Sequence, residues 1–326
     1  MQNMAGFRPS ERDPLTWPAL KTAPPRTSRR IGIHTSIAGG VDNAAKRAYR
    51  LGCNTFQIFS TSPRQWAPYI LGRPQCEAMN RLRRDYDLKP LVIHCNYLIN
   101  LAGANDSFRR KSIATFRGEL ERGLALCADY LVLHPGSFRG SSREEGLQRV
   151  ASAIEEAAQG LNLSDGGLND RGLTLLIENT AGAEFSLGGT FEQVAELLEL
   201  LRGRVPVGAC IDTCHTHVAG YDIVTNDGRD LTLRYLDQTI GFNNVRVWHC
   251  NDAKADRGSR LDRHEHIGQG RLGLDVFRAL LNDRRLEQAA FIAETPIDDP
   301  GDDLRNVETL KKLVDSGHRV QKPRRR

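Results

Sequence analysis

Eight short apolar runs punctuate the 326-residue chain: IGIH ending at His34, TFQIFS at Ser60, LVIH at His94, YLVLH at His134, TLLIE at Glu178, VGACID at Asp212, VRVWH at His249 and FIAE at Glu294. Aliphatic, β-branched runs of this length, bounded by polar segments, read as strands buried on both faces of a parallel sheet. Helix-compatible stretches lie between them. SIAGGVDNAAKRAYRLG follows the first run and closes at Gly52, CEAMNRLRRDY predicts a helix over 75–86, and a long amphipathic segment predicts one over about 107–127. REEGLQRVASAIEEAAQ, TFEQVAELLELL, DLTLRYLDQTIG, LDVFRALLND and residues 302–315 continue the alternation. Eight strand–helix units predict an α/β protein of the closed (β/α)8 TIM-barrel type, and the eightfold count weighs against an open doubly wound sheet. The Gly/Asn/Asp-rich loop 160–172 enters the fifth strand and belongs at the opposite, N-terminal rim.

A parallel barrel carries its chemistry at the C-terminal ends of its strands. All of the runs but the second end there in His, Asp or Glu. His94, His134, Glu178, Asp212, His249 and Glu294 stand at strand ends. His215 follows Asp212 by one turn, and Asp262 and His264 stand two apart in the loop after the seventh run. Imidazole nitrogen and carboxylate oxygen are zinc donors, about four to an ion. Nine donors are too many for one ion and suit two or three when a carboxylate bridges. Clustered divalent ions roughly 3.5–4 Å apart hydrolyse phosphodiesters, because they activate water and neutralise the attacking and leaving oxygens together. Taken singly, each residue has a plainer explanation: a hydrogen-bonded core histidine, a turn cap at Asp212, an arginine partner for Glu178. Nine such explanations at matching barrel positions do not combine. Spacing alone leaves His266 and His217 as further candidates beside His264 and His215. His34 faces the same rim, as a donor behind the ligands or a phosphate contact.

Hydrophobic residues make up 40% and charged residues 26% of the chain, which suits a sizeable core in a soluble protein. No segment is long and apolar enough to span a bilayer, and the N-terminus lacks the pattern of a secretory signal. Seven cysteines without a C-x-x-C pair suggest reduced thiols and a cytoplasmic location. Cys210 and Cys214, on either side of Asp212, read as packing residues. The net charge of +5 is uneven: residues 1–30 carry +4 and HRVQKPRRR (318–326) carries +5, leaving −4 over 31–317. The division expected is a basic, flexible extension over 1–29, a barrel over 30–317 and a basic tail over 318–326. Divalent ions at the acidic rim would reverse the local field, and the basic arms would add salt-dependent attraction to phosphate.

The motifs HTSIAGG (34–40), LINLA (98–102), HPGS (134–137), IENTAG (177–182), CIDTCH (210–215), AGYD (219–222), HCNDAK (249–254), DRHEHIGQG (262–270) and the ET of AETP (294–295) resemble those of the endonuclease IV family, zinc-dependent apurinic/apyrimidinic endonucleases. The match runs in order from about 31 to 315, and CIDTCH with DRHEHIG is highly specific. The resemblance implies a xylose isomerase-like TIM barrel with three zinc ions per chain. It assigns His94, His134 and Glu178 to the first ion, makes Glu178 a bridge to a second completed by Asp212, His249 and Glu294, and gives His215, Asp262 and His264 to the third. The reaction it implies is hydrolysis of the phosphodiester 5′ to an abasic site in double-stranded DNA, leaving a 3′-hydroxyl and a 5′-deoxyribose phosphate. The resemblance makes Glu178 and Glu294 the catalytic carboxylates, with Glu294 orienting the hydroxide that attacks phosphorus. Arg64 and Tyr97 match residues that enter the DNA where the abasic nucleotide is extruded, and an abasic site, lacking stacking, is cheap to extrude. Departures are modest: Ser62-Pro63 before Arg64, Cys95-Asn96 before Tyr97, Thr216-His217, and Gln269 for a frequent Glu.

The competing reading is a sugar isomerase or epimerase on the same barrel, using strand-end carboxylates and one or two divalent ions. The extra histidines His94, His134, His215 and His264 discriminate, since moving protons on a sugar needs no third nitrogen-rich site. A metal- or DNA-binding protein without catalysis is a third possibility. A monomer is expected.

Overall fold

The computed structural model describes residues 12–18, 20–25, 27–66, 70–164 and 172–315. Eight parallel strands form the barrel: β1 (Arg30–Ile33), β2 (Phe56–Phe59), β3 (Leu91–His94), β4 (Tyr130–Leu133), β5 (Thr174–Glu178), β6 (Val207–Asp212), β7 (Val245–His249) and β10 (Ala290–Ala293). The outer layer is α1 (Val41–Arg50), α2 (Arg73–Tyr86), α3 (Asp106–Ala125), α4 (Arg143–Ala158), α5 (Phe191–Leu201), α7 (Asn226–Thr239), α8 (Leu274–Asn282) and α9 (Asp302–Leu313). Two additions follow strand ends: a six-residue helix α6 (Thr213–Val218), and a ribbon in which β8 (Asp252–Ala253) pairs antiparallel with β9 (His264–Glu265). Loop 160–172 enters β5 as expected, but its residues 165–171 lie outside those described, as does the tail 318–326.

The hydrogen-bonded ladder runs β1-β10-β7-β6-β5-β4-β3-β2. Only the joint between β1 and β2 is thinly bonded. It is closed by one parallel bridge, His34 to Gln57, with the Thr35 N–H donating to Gln57 O at 2.8 Å, and by Asn54, whose N–H donates to Ile31 O at 3.1 Å and whose Oδ1 accepts from the Ile31 N–H at 2.6 Å. Gly32 permits that joint, because a Cβ there would meet Thr55 O at 2.0 Å. Inside the barrel, Val92, Val132, Leu176, Cys210, Val247 and Ile292 form one apolar layer, and the larger core lies between strands and helices. The sequence alternates accordingly. In β2, Phe56 and Ile58 belong to the outer core, whereas Gln57 is in register with Val92 of the inner layer. Packing this floor lifts the strand ends to one rim.

The segment expected as a flexible extension differs over its described part. Asp13 caps a short 3-10 helix at Pro14–Thr16 and takes a two-point ion pair from Arg47 of α1, at 2.7 and 2.8 Å. Arg50 donates to the carbonyls of Pro14, Trp17 and Pro18, and Trp17 packs on the core. A turn-forming D-P pair and an anchoring aromatic thus override the Pro/Arg composition. Asp13→Ala leaves the buried Arg47 guanidinium short of its counter-charge. It is expected to lower stability by about 1.5–3 kcal/mol, the scale of a hydrogen bond to a charged group. An unshifted urea midpoint would show that the pair contributes nothing.

Candidate metal centre

All nine predicted ligands meet at the C-terminal rim. They fall into groups whose donor atoms lie within 4.8 Å of one another: His94, His134 and Glu178; Glu178, Asp212, His249 and Glu294; His215, Asp262 and His264. Glu178, fully buried at the end of β5, is the hub. Its Oε2 lies 3.2 Å from His94 Nε2 and 3.0 Å from His134 Nε2, while Oε1 lies 2.9 Å from His249 Nδ1. His249 Nδ1 is also 3.3 Å from Glu294 Oε2 and 4.0 Å from Asp212 Oδ2. In the third group, Asp262 lies 3.1 Å from both His215 Nε2 and His264 Nε2, and His264 Nε2 reaches within 3.8 Å of Asp212.

Local structure aims these atoms. Asp212 ends β6 and caps α6, its Oδ1 accepting from the His215 N–H at 2.8 Å, so the short helix carries His215 back over the rim. The ribbon β8–β9 returns the chain after β7 and brings Asp262 and His264 to the same place. Ligand imidazoles need the other ring nitrogen fixed. His94 Nδ1 is bonded to Cys95 O at 2.8 Å, His215 Nδ1 to Asn179 O at 2.9 Å and His264 Nδ1 to Glu294 O at 3.0 Å. In each case the backbone accepts and Nε2 is left for the cluster, where the buried His264 Nε2 makes no hydrogen bond.

Three residues of the site escape a search for ligand types. Asn251 donates to Asp212 Oδ2 at 2.6 Å and accepts from the Glu294 N–H at 2.7 Å. Asn179 accepts from the Asp212 N–H at 2.7 Å and donates to Thr216 Oγ1. Gln57 bonds His34, His249 and Glu294. All three are buried polar groups, which must find partners, but that burial shows only in the structure. Two candidates drop out. His266 bonds Asn306 and faces Asp298 and Asp302, and His217 packs away from the cluster with neither ring nitrogen bonded. Burial pushes the Cys210 thiol up to about 12, so it stays protonated beneath the cluster.

Electrostatics favour a cation here. Burial alone would raise the Glu178 carboxyl, but the imidazoles of His249 and His134 outweigh it and hold it well below the carboxylate range. Burial disfavours the His264 imidazolium, yet Asp262 and Asp212 lift it to about 9. Without a metal, then, protons occupy the place of cations. Loading a divalent ion near pH 7 must displace them, so affinity is expected to rise with pH until His264 deprotonates near 9. Calorimetry in buffers of different ionisation enthalpy measures the released protons, and buffer-independent heats would contradict this.

A family model described as a xylose isomerase-like TIM barrel matches residues 45–315. A probable endonuclease 4 from Solibacter usitatus is 46% identical over 289 residues, covering 88% of this chain and 97% of that one. The chain belongs to the endonuclease IV family. It is a hydrolase by that membership. Endonuclease IV from Thermus thermophilus is 38% identical and superposes with a TM-score of 0.76, covering 87% of this chain and 98% of that chain. A D-tagatose 3-epimerase-like protein, 19% identical with a TM-score of 0.62 over 86% of this chain and 96% of that one, shares the fold alone.

The endonuclease IV motifs outside the ligands surround the cluster. Tyr97, 59% exposed, stands at the rim with its ring against Phe59 at 5.1 Å and His94 at 5.8 Å. Arg64 is exposed on the 62–66 turn, which Asn96 holds by donating to Ser62 O and Gln65 O at 3.0 and 2.8 Å. The Asn before Tyr97 therefore tethers the Arg64 turn to the Tyr97 turn. His34 lies deeper than a surface contact, with Nδ1 3.0 Å from Gln57 Nε2 and 3.7 Å from Glu294 Oε1. Two clefts flank the cluster: one of about 380 Å³ beside Tyr97, His134 and Asp262, the other of about 630 Å³ beside His34, Phe59 and the Gly39-Gly40 turn. Among the described residues, no helix is long and apolar enough to cross a membrane.

Proposed function

We propose that this chain, as a monomer, hydrolyses the phosphodiester 5′ to an abasic site in double-stranded DNA, using three zinc ions and leaving a 3′-hydroxyl and a 5′-deoxyribose phosphate. The observation that carries this reading is the contiguity of the three donor groups, in which Glu178 belongs to two and Asp212 faces both the second and the third. The relatives named endonuclease 4 and endonuclease IV support it. The donors fit zinc: buried imidazoles with their second nitrogens pinned, and carboxylates held ionised. Zinc bound there would supply Lewis acidity to the phosphate oxygens and acidify a water for attack.

The protein's own part is positional. Glu294 directs Oε2 to the cluster while its backbone N–H is held by Asn251, so its carboxylate can orient the attacking water. His215, Asp262 and His264 stand on the side where the leaving 3′ oxygen would depart. Tyr97 and Arg64, on their tethered turns, would fill the duplex where the abasic nucleotide leaves the stack, and a phosphate entering the cleft beside the Gly39-Gly40 turn would meet His34 at its wall. Such a DNA-associated enzyme would work in the cytoplasm. The third donor group speaks against a sugar isomerase. The test is zinc content together with nicking of a duplex bearing one abasic analogue, run beside ketose–aldose interconversion. About three zinc per chain and a nick 5′ to the lesion are expected. One zinc per chain, or isomerisation without nicking, would defeat the reading.

A further inference from the structure

Gln57 is not a ligand, yet all three of its side-chain bonds go to the centre. We infer that Gln57 is a positioning residue that fixes the tautomer of His249 and the orientation of Glu294, and thereby the ion held by Glu178, Asp212, His249 and Glu294. The inference rests on the metal-centre reading above.

An amide oxygen only accepts. Gln57 Oε1 lies 2.8 Å from His249 Nε2, so that nitrogen carries the proton. The lone pair of the neutral ring is then on Nδ1, the atom that faces the Glu178, Glu294 and Asp212 carboxylates. With the opposite tautomer His249 would present an N–H to the ion and could not bind it. An amide nitrogen only donates. Gln57 Nε2 lies 2.5 Å from Glu294 Oε1 and 3.0 Å from His34 Nδ1. One of its hydrogens therefore engages Glu294 Oε1, which turns Oε2, met at 3.4 Å by Asn251 Nδ2, toward the ion, and the other holds His34 with Nδ1 as acceptor. Turning the amide over would set its oxygen against the Glu294 carboxylate, so the network admits one orientation. Closure of the barrel does not explain this side chain, because the β1–β2 joint is made by backbone groups and by Asn54 Oδ1, which accepts from the Ile31 N–H.

Gln57→Met nearly keeps the volume while removing all three bonds. In the zinc-loaded full chain it is expected to weaken retention of one ion about 10- to 100-fold against a competing chelator, the effect of losing a partner behind a ligand. In ¹⁵N-histidine spectra the His249 Nε2–H signal should lose its protection from exchange, which a purely structural role would not change. Gln57→Glu still offers His249 an acceptor and should restore that signal. Wild-type retention and an intact Nε2–H signal in Gln57→Met would overturn the inference alone. If the methionine variant does not fold, loss of the signal in Gln57→Glu overturns it. A wild-type chain that keeps no zinc overturns both this and the proposed function.

Discussion

Glu178→Ala is expected to reduce zinc from the proposed three per chain toward one and to lower nicking by at least about 10⁴-fold, the scale on which losing one member of a cooperating unit acts. Two donor groups share this carboxylate, and four imidazoles surround it: His94, His134, His215 and His249, all within 3.4 Å of one of its oxygens. Removing it deprives both groups of a ligand at once. The metal-free protein should suffer too, because the His94, His215 and His249 imidazoles, whose proton affinity the neighbouring carboxylates raise, would face one another without their buried counter-charge. Breaking such a pair by deleting one partner costs about 3–5 kcal/mol. Metal analysis and thermal unfolding with and without a chelator read the two effects separately. Retention of two or more zinc ions would show that Glu178 does not bridge.

Glu294→Gln should act more narrowly. Nicking is expected to fall by about 10²–10⁴-fold, the range of a positioned acid–base group, with zinc content largely kept because the amide oxygen can still ligate. The carboxylate is held well below its ordinary range: burial would raise it, but the charge of the nearby His249 imidazole prevails, so the wild-type group is fully ionised at neutral pH. The substitution removes that charge while sparing the backbone bond from its N–H to Asn251 and the carbonyl that receives His264. Single-turnover nicking beside metal analysis is the measurement. A rate within a few fold of wild type would remove Glu294 from the chemistry.

The barrel and the nine candidate ligands that meet at its rim were legible because both leave local traces. Strands such as LVIH and YLVLH are apolar throughout, and a charged or imidazole terminus on so many of them has no packing reason. The supporting amides leave no such trace. Gln57, Asn179 and Asn251 are neutral, and their meaning depends on which strand lies beside them, a property of register rather than of neighbours in sequence. His217 and His266 show the converse limit. Alternation makes them equal to His215 and His264 on paper, and only the paths of α6 and the β8–β9 ribbon separate them. For the N-terminal segment, composition averaged over 1–29 concealed the few residues, Asp13 and Trp17, that dock its described part.

The sparsely bonded stave between β1 and β2 has a consequence for how this molecule breathes. Local opening begins where rungs are fewest, and here that place is directly behind His34, Gln57 and Glu294. A cation gripped by Glu294 on one stave and by Glu178 across the cylinder would act as a rivet. Loss of the metal would then loosen the hoop itself, so that a cell short of zinc would hold a leakier barrel as well as an idle one.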